Sequence, residues 1–116
     1  MREAEIEKIL VCEVKKLGGR AYKWVSPGNA GVPDRIVILP GLPVPAFVEL
    51  KTCRGTLTAL QTAQINRLRV FGQKVWVVKG IAGMVRFFDD IGYTAAAQDI
   101  QNRYAERDRP GKDGAR

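Results

Sequence analysis

Asp34 and Glu49 are the only two carboxylates between Lys15 and Arg86, a stretch that carries twelve lysines and arginines. A surface built to hold phosphates sheds acids, because each one repels the ligand. Two acids kept in its middle therefore ask for a reason, of which a salt bridge or a turn cap is the plainest. Glu49 lies in Ala46 to Lys51 (AFVELK), an alternating strand pattern that points Glu49 and Lys51 to the same side as Phe47. Asp34 opens the preceding strand pattern, DRIVIL. With the intervening turn centred near residues 42 and 43, antiparallel pairing sets Asp34 opposite Lys51. Glu49 then stands one diagonal away, about 7–8 Å between α-carbons. Two carboxylates and an ammonium at one strand end are the groups that metal-assisted phosphodiester hydrolysis uses. A hard cation such as Mg²⁺ or Mn²⁺ takes one or two carboxylates, water and a phosphate oxygen. It polarises the phosphorus and acidifies its bound water, and a nearby ammonium offsets the charge that develops. The competing reading is an Asp34–Lys51 ion pair with Glu49 on a solvated face, and spacing alone does not choose between the two.

The elements that must position these groups follow from periodicity. Glu3 to Leu17 is expected to be a helix, with Ile6, Ile9, Leu10, Val14 and Leu17 on one stripe and Gly18-Gly19 as its stop. A strand is expected over 20–25 (RAYKWV), a turn-rich loop over Ser26 to Gly31, and strands over Asp34 to Leu39 and Ala46 to Lys51. A second helix follows from about Thr58 to Phe71. Lys74 to Lys79 (KVWVVK) reads as a strand buried on both faces, Ile81 to Ile91 as a third helix, and Thr94 to about Arg107 as a last one. The order α-β-β-β-α-β-α, then this last helix, implies an α/β fold: one mixed sheet with helices on its faces. Residues 1–107 make one domain, and 108–116 (RPGKDGAR with the preceding Asp) a loose basic tail. Trp24 and Trp76 read as core residues.

Composition narrows the chemistry further. The 116 residues hold 19 Lys and Arg against 12 Asp and Glu, a net charge of +7 that favours a polyanionic partner. With no His, every nucleophile system and zinc site that needs imidazole is excluded. Cys12 and Cys53 form no CxxC and read as free thiols of a reducing compartment, the cytoplasm of a bacterium or phage-infected host. The longest apolar run, the 13 residues from Ile36 to Val48, is interrupted by Pro40, Pro43 and Pro45. A spanning helix needs about 20, so no membrane partner is expected, and no small-molecule cofactor either.

The order Pro33-Asp34, fourteen residues, then Glu49-Leu50-Lys51 resembles the PD-(D/E)xK nuclease superfamily. More narrowly, GVPDRIVIL, FVELKTCRGTLTALQ and LRVFG resemble the VRR-NUC family of replication and repair nucleases, over about two-thirds of the chain. The resemblance implies a restriction-endonuclease-like mixed sheet flanked by helices, with a divalent metal at the strand ends. It implies Asp34 and Glu49 as metal ligands, the Leu50 carbonyl as a third donor, and Lys51 serving the attacking water. Gln61 would be the family's active-site glutamine, yet Thr58-Ala-Leu-Gln61 also fits a T-x-x-Q capping box. The two roles can coexist. Glu3 occupies the place of the family's helix acid, about 50° from the centre of the apolar stripe, with Glu7 the runner-up at about 90°. Glu13 lies nearer the centre still, without an assignable partner.

Lys23, Ser26, Gly28, Asn29, Arg35 and Arg54 are the candidate DNA contacts, the loop residues through exposed amides and the cations through charge. Small members of the family resemble Holliday-junction resolvases, which implies a homodimer acting on branched or four-way DNA. Met84 to Tyr93 is the candidate dimer surface, with packing of the third helix on the sheet as its alternative. A non-catalytic DNA-binding module that kept the fold is the alternative function, and the intact Asp34, Glu49, Lys51 and Gln61 argue against it.

Overall fold

The computed structural model describes residues 1–109. Four strands, β1 (Arg20–Lys23), β2 (Arg35–Ile38), β3 (Ala46–Lys51) and β4 (Lys74–Lys79), form one sheet in the order β1-β2-β3-β4. The first three are antiparallel, and β4 lies parallel to β3. A parallel neighbour needs a crossover, which is supplied by α2 (Ala59–Val70). The remaining helices are α1 (Glu3–Lys16), α3 (Gly80–Asp90) and α4 (Thr94–Tyr104), followed by a 3-10 turn at Ala105–Asp108. This is the mixed sheet flanked by helices that the sequence implied.

Strand alternation sorts the side chains. Ala21, Val37, Ala46, Val48, Leu50 and Val78 point to one face, where they meet Ile6, Leu10 and Val14 of α1. Ile81, Met84, Phe87 and Phe88 of α3 and Ala97 and Ile100 of α4 complete that core. The other face carries Tyr22, Ile36, Ile38, Phe47, Glu49 and Lys51, as the registers dictate. Here α2 packs against β4, while Tyr22 and Ile38 on the β1–β2 side stay 57% and 42% exposed. Trp24 packs on Phe47 at 5.4 Å between ring centroids, outside the main core. Trp76 packs on Phe87 within its margin, so the expectation of a core role is met by Trp76 alone.

Three expectations are corrected. Arg35 pairs with Val48 and Val37 with Ala46, so the β2–β3 connection centres between Gly41 and Leu42. Continuing that register places Asp34 beside Glu49 instead of opposite Lys51. A shift of two residues keeps every side chain on its own face, so alternation fits either register equally well. Secondly, Met84, Phe87 and Phe88 are fully buried beneath the sheet, so the apolar segment of α3 is core and not a dimer surface. β4 meets its expectation: although it is an edge strand, Val78 is buried on the core face against α3 and Val75 on the opposite face under α2. Finally, the chain stays packed one residue past the expected boundary at 107. Asp108 is 5% exposed, accepts the Ile81 N–H at the start of α3 at 2.7 Å, and pairs with the Met1 amino group at 3.2 Å. A carboxylate there also suits the positive end of the α3 dipole. Positions 110–116 of the expected tail lie outside the described residues.

Phe88→Ala is expected to cost about 3–5 kcal/mol in chemical denaturation, whereas Phe71→Ala, at a position 66% exposed, is expected to stay within about 0.5 kcal/mol. Equal costs would contradict the placement of the core.

Candidate active site

Glu49 is the third residue from the end of β3, and its side chain is 1% exposed. A carboxylate at such a position loses its hydration, which favours the protonated form. Burial, reinforced by the neighbouring charges of Asp34 and Glu3 and opposed by Lys51, pushes its pKa from the usual 4.5 up to about 7. One oxygen is held: Gln61 Nε2 donates to Glu49 Oε2 at 3.0 Å, and Lys51 Nζ stands 3.8 Å from the same atom. The other, Oε1, is buried and accepts no hydrogen bond. An orphaned carboxylate oxygen is expensive, and such atoms in folded proteins ask for a ligand or a functional reason.

Asp34 lies just before β2, where its Oδ2 accepts the Leu50 N–H at 2.8 Å. That bond ties the acid to the backbone beside Glu49 and uses an amide that the shortened β2 cannot reach. The Lys51 side chain is 12% exposed, so its ammonium sits at the mouth of the site instead of in bulk water.

Gln61 closes the capping box and reaches the Glu49 carboxylate in one conformation. The Thr58 N–H donates to Gln61 Oε1 at 2.9 Å, and the Gln61 N–H donates to Thr58 Oγ1 at 3.1 Å, which closes the capping box of α2. The carboxamide nitrogen left over is the one that reaches Glu49. The first turn of α2 is seated from below by Gly31, at φ +92, where a Cβ would stand 2.7 Å from the Leu60 carbonyl and 2.9 Å from the Gln61 nitrogen. That close approach is invisible in sequence beyond the presence of a glycine before Pro33-Asp34.

The remaining candidates separate. Glu3 joins the site only through its field on Glu49. Glu7 is engaged elsewhere: its Oε2 lies 2.8 Å from Arg35 Nε and 3.6 Å from Lys23 Nζ. Arg35 also donates to the Ala21 carbonyl at 3.0 Å and is a tie between α1 and the sheet. Lys23 keeps 62% of its side chain exposed despite its pairing. In the loop, Asn29 Nδ2 donates to Ser26 Oγ at 3.0 Å and the Asn29 N–H to the Ser26 carbonyl. Gly28, at φ +81, stands in open space at its tip. Arg54 is exposed in the loop that follows β3. The unassigned Glu13 finds its partners in Lys16 at 3.0 Å and Arg103 at 3.8 Å.

This constellation has counterparts among known proteins. No family model matches the chain. It is, however, 49% identical over 78 residues to the "Putative nuclease p44" of Acyrthosiphon pisum secondary endosymbiont phage 1, across 67% of this chain and 83% of that protein. A solved structure described as a VRR_NUC domain superposes with a TM-score of 0.63 at 26% identity, covering 88% of this chain and 96% of that one. The chain belongs to the VRR-NUC family.

VRR-NUC membership raises the question of a metal. Among the described residues, no group of three or more His, Cys, Asp or Glu is gathered closely enough to hold an ion by itself. The donor set is a smaller one: the buried Glu49 with its orphaned Oε1, Asp34 beside it, and Glu3 at longer range. Mg²⁺ keeps several waters and is commonly held by one or two carboxylates with substrate phosphate, so these residues fit it.

Because Glu49 protonates more readily in the folded chain than in the unfolded one, folding takes up a proton between about pH 4.5 and 7. Stability from this group therefore falls as pH rises through that window. In metal-free buffer, Glu49→Gln is expected to exceed the wild type in stability at about pH 8, by up to about 3 kcal/mol. The advantage should vanish near pH 4. Thermal melts across pH measure it, and an advantage over the wild type no larger at pH 8 than at pH 4 would contradict the burial argument.

Proposed function

We propose that this VRR-NUC chain is a Mg²⁺- or Mn²⁺-dependent endodeoxyribonuclease that hydrolyses phosphodiester bonds. Glu49 carries the reading: a buried carboxylate with one oxygen anchored and the other orphaned, next to a second carboxylate and an ammonium. Asp34 and Glu49 would hold the metal, with the Leu50 carbonyl and Glu3 as further donors. When bound, the metal supplies Lewis-acid polarisation of the phosphoryl oxygen and a water of lowered pKa.

The chain's own groups do the rest. Lys51 orients the attacking water and offsets charge on the phosphorane-like transition state. Gln61 keeps Glu49 in one rotamer, and Asp34 is fixed by the Leu50 amide. The net charge of +7 draws the polyanion in. The loop Ser26 to Gly31 admits the backbone at its open Gly28 tip, with Lys23 and Arg54 as flanking cations. Ser26 and Asn29 shape that loop by bonding to each other.

Branched DNA, with the four-way junction first, is the proposed substrate, and a two-fold homodimer the proposed assembly. Two sites at a fixed separation let one small domain cut paired strands. With α3 buried, the second copy is assigned to the open β1–β2 half of the sheet around Tyr22 and Ile38. That surface exposes Tyr22 and Ile38 with Arg20 beside them, and it shares its face with Glu49 and Lys51.

Asp34→Ala, Glu49→Ala and Lys51→Ala are each expected to lower cleavage at least about 100-fold while the fold is kept. Without metal, the two carboxylate variants should bind DNA as well as the wild type or better, since a repulsive charge is removed. A wild-type rate from any of the three would overturn the assignment, and DNA binding without cleavage under any divalent metal would favour the non-catalytic module. Light scattering at micromolar concentration should give twice the 12.8 kDa of one chain, and Ile38→Glu should return it to a monomer. A monomer in both cases, on and off DNA, would remove the dimer, and equal rates on linear duplex and four-way DNA would remove the junction preference.

A further inference from the structure

The carboxamide of Gln61 has a donor end and an acceptor end, and the site works only one way round. In the observed orientation Oε1 accepts the Thr58 N–H at 2.9 Å and Nε2 donates to Glu49 Oε2 at 3.0 Å. Turned over, the amide would set donor against donor at Thr58 and acceptor against acceptor at Glu49. Both bonds would be lost together.

The place from which Gln61 reaches out is fixed as well. Thr58 Oγ1 accepts the Gln61 N–H at 3.1 Å, and the Thr58 carbonyl accepts both the Thr62 N–H and the Thr62 hydroxyl at 3.0 Å. Gly31 abuts the Leu60–Gln61 peptide from the loop side. One residue, Thr58, thus sets both the position of the Gln61 backbone and the polarity of its side chain.

We propose that Thr58 is a positioning residue for the nuclease site, acting through Gln61 to choose which oxygen of Glu49 is left open. With Oε2 held by Gln61 and Lys51, Oε1 is the oxygen that faces a ligand. The capping box is therefore part of the active site, and helix start and catalytic geometry form one hydrogen-bonded unit. This extends the nuclease reading given above and rests on it.

A graded series at Thr58 tests the inference. Thr58→Ser keeps every bond. Thr58→Ala removes the hydroxyl. Thr58→Pro removes both hydroxyl and N–H at a φ of −75 that the ring accepts. The expected kcat on a DNA substrate in Mg²⁺ runs from wild-type for Ser, down for Ala, and lowest for Pro. The total loss should be about 10- to 100-fold, the usual effect of removing a group that orients a metal ligand, with KM little changed. A second readout does not depend on catalysis: the Gln61 side-chain NH₂ signals in ¹⁵N NMR should be protected from exchange in the wild type and Ser variant and lose protection in Ala and Pro. Ile65→Val, which loosens α2 at a buried position away from the box, should leave both readouts unchanged. Thr58→Ala/Gln61→Ala should be no slower than Gln61→Ala alone. Loss of activity in Ile65→Val matching that in Thr58→Ala, additive losses in the double variant, or unaltered Gln61 protection in Thr58→Pro would each overturn the proposal. Wild-type protein that cuts no DNA, with Gln61 protection still lost in the Pro variant, would overturn the nuclease reading and leave the hold of Thr58 on Gln61 supported.

Discussion

A carboxylate buried at the end of a central strand is the constraint around which this small fold is arranged. Taking a charged group out of water costs several kcal/mol even after relaxation, and Glu49 is 1% exposed. The surroundings offset only part of that cost. Lys51 lies on the same face two residues on, Gln61 donates from α2, and Asp34 brings a second negative charge close enough to worsen the balance. A stable domain with no task for Glu49 would gain by placing an apolar side chain there. The arrangement makes sense for a site whose electrostatics are completed by a cation and a phosphate.

The division of labour between the two sheet faces follows from this. One face is closed by α1, α3 and α4 around an apolar core, and that half supplies the stability. The other is covered where α2 crosses β4 and stays open on the β1–β2 side around Tyr22 and Ile38. α2 contributes little burial of its own beyond Ile65. Its role is at its first turn, where the cap, the Gly31 seat and the Glu49 contact meet. Ion pairs on the core side hold the frame together: Arg35 and Lys23 on Glu7, and Arg103 and Lys16 on Glu13.

Much of this was legible in the sequence. The helix stripes, the four strands and the crossover are local patterns, and local patterns survive folding. The acid-poor basic stretch singled out Asp34 and Glu49 without any structural information. What failed was non-local. The strand register differs from the expected one by two residues, a shift that keeps every side chain on its face and so leaves the alternating pattern unchanged. α3 looked too apolar for one core, since its burial depends on α4 and on the sheet together. Arg35 read as a phosphate contact because charge counts do not reveal that Glu7, 28 residues earlier, claims its guanidinium. Gln61 was ambiguous for the opposite reason. Two valid local readings existed, and one side chain with two unlike ends bonds both the helix cap and Glu49.

The titration of Glu49 itself is the most direct test of the central claim. Its side-chain carboxyl ¹³C shift can be followed against pH in metal-free protein and again with saturating Mg²⁺. Burial and the fields of Asp34 and Glu3 require a midpoint near pH 7 without metal, and a cation at Oε1 should lower that midpoint by releasing the proton. A metal-free midpoint near 4.5, or one near 7 that Mg²⁺ leaves unmoved, would contradict the reading of Glu49 as the buried, metal-seeking carboxylate of the site.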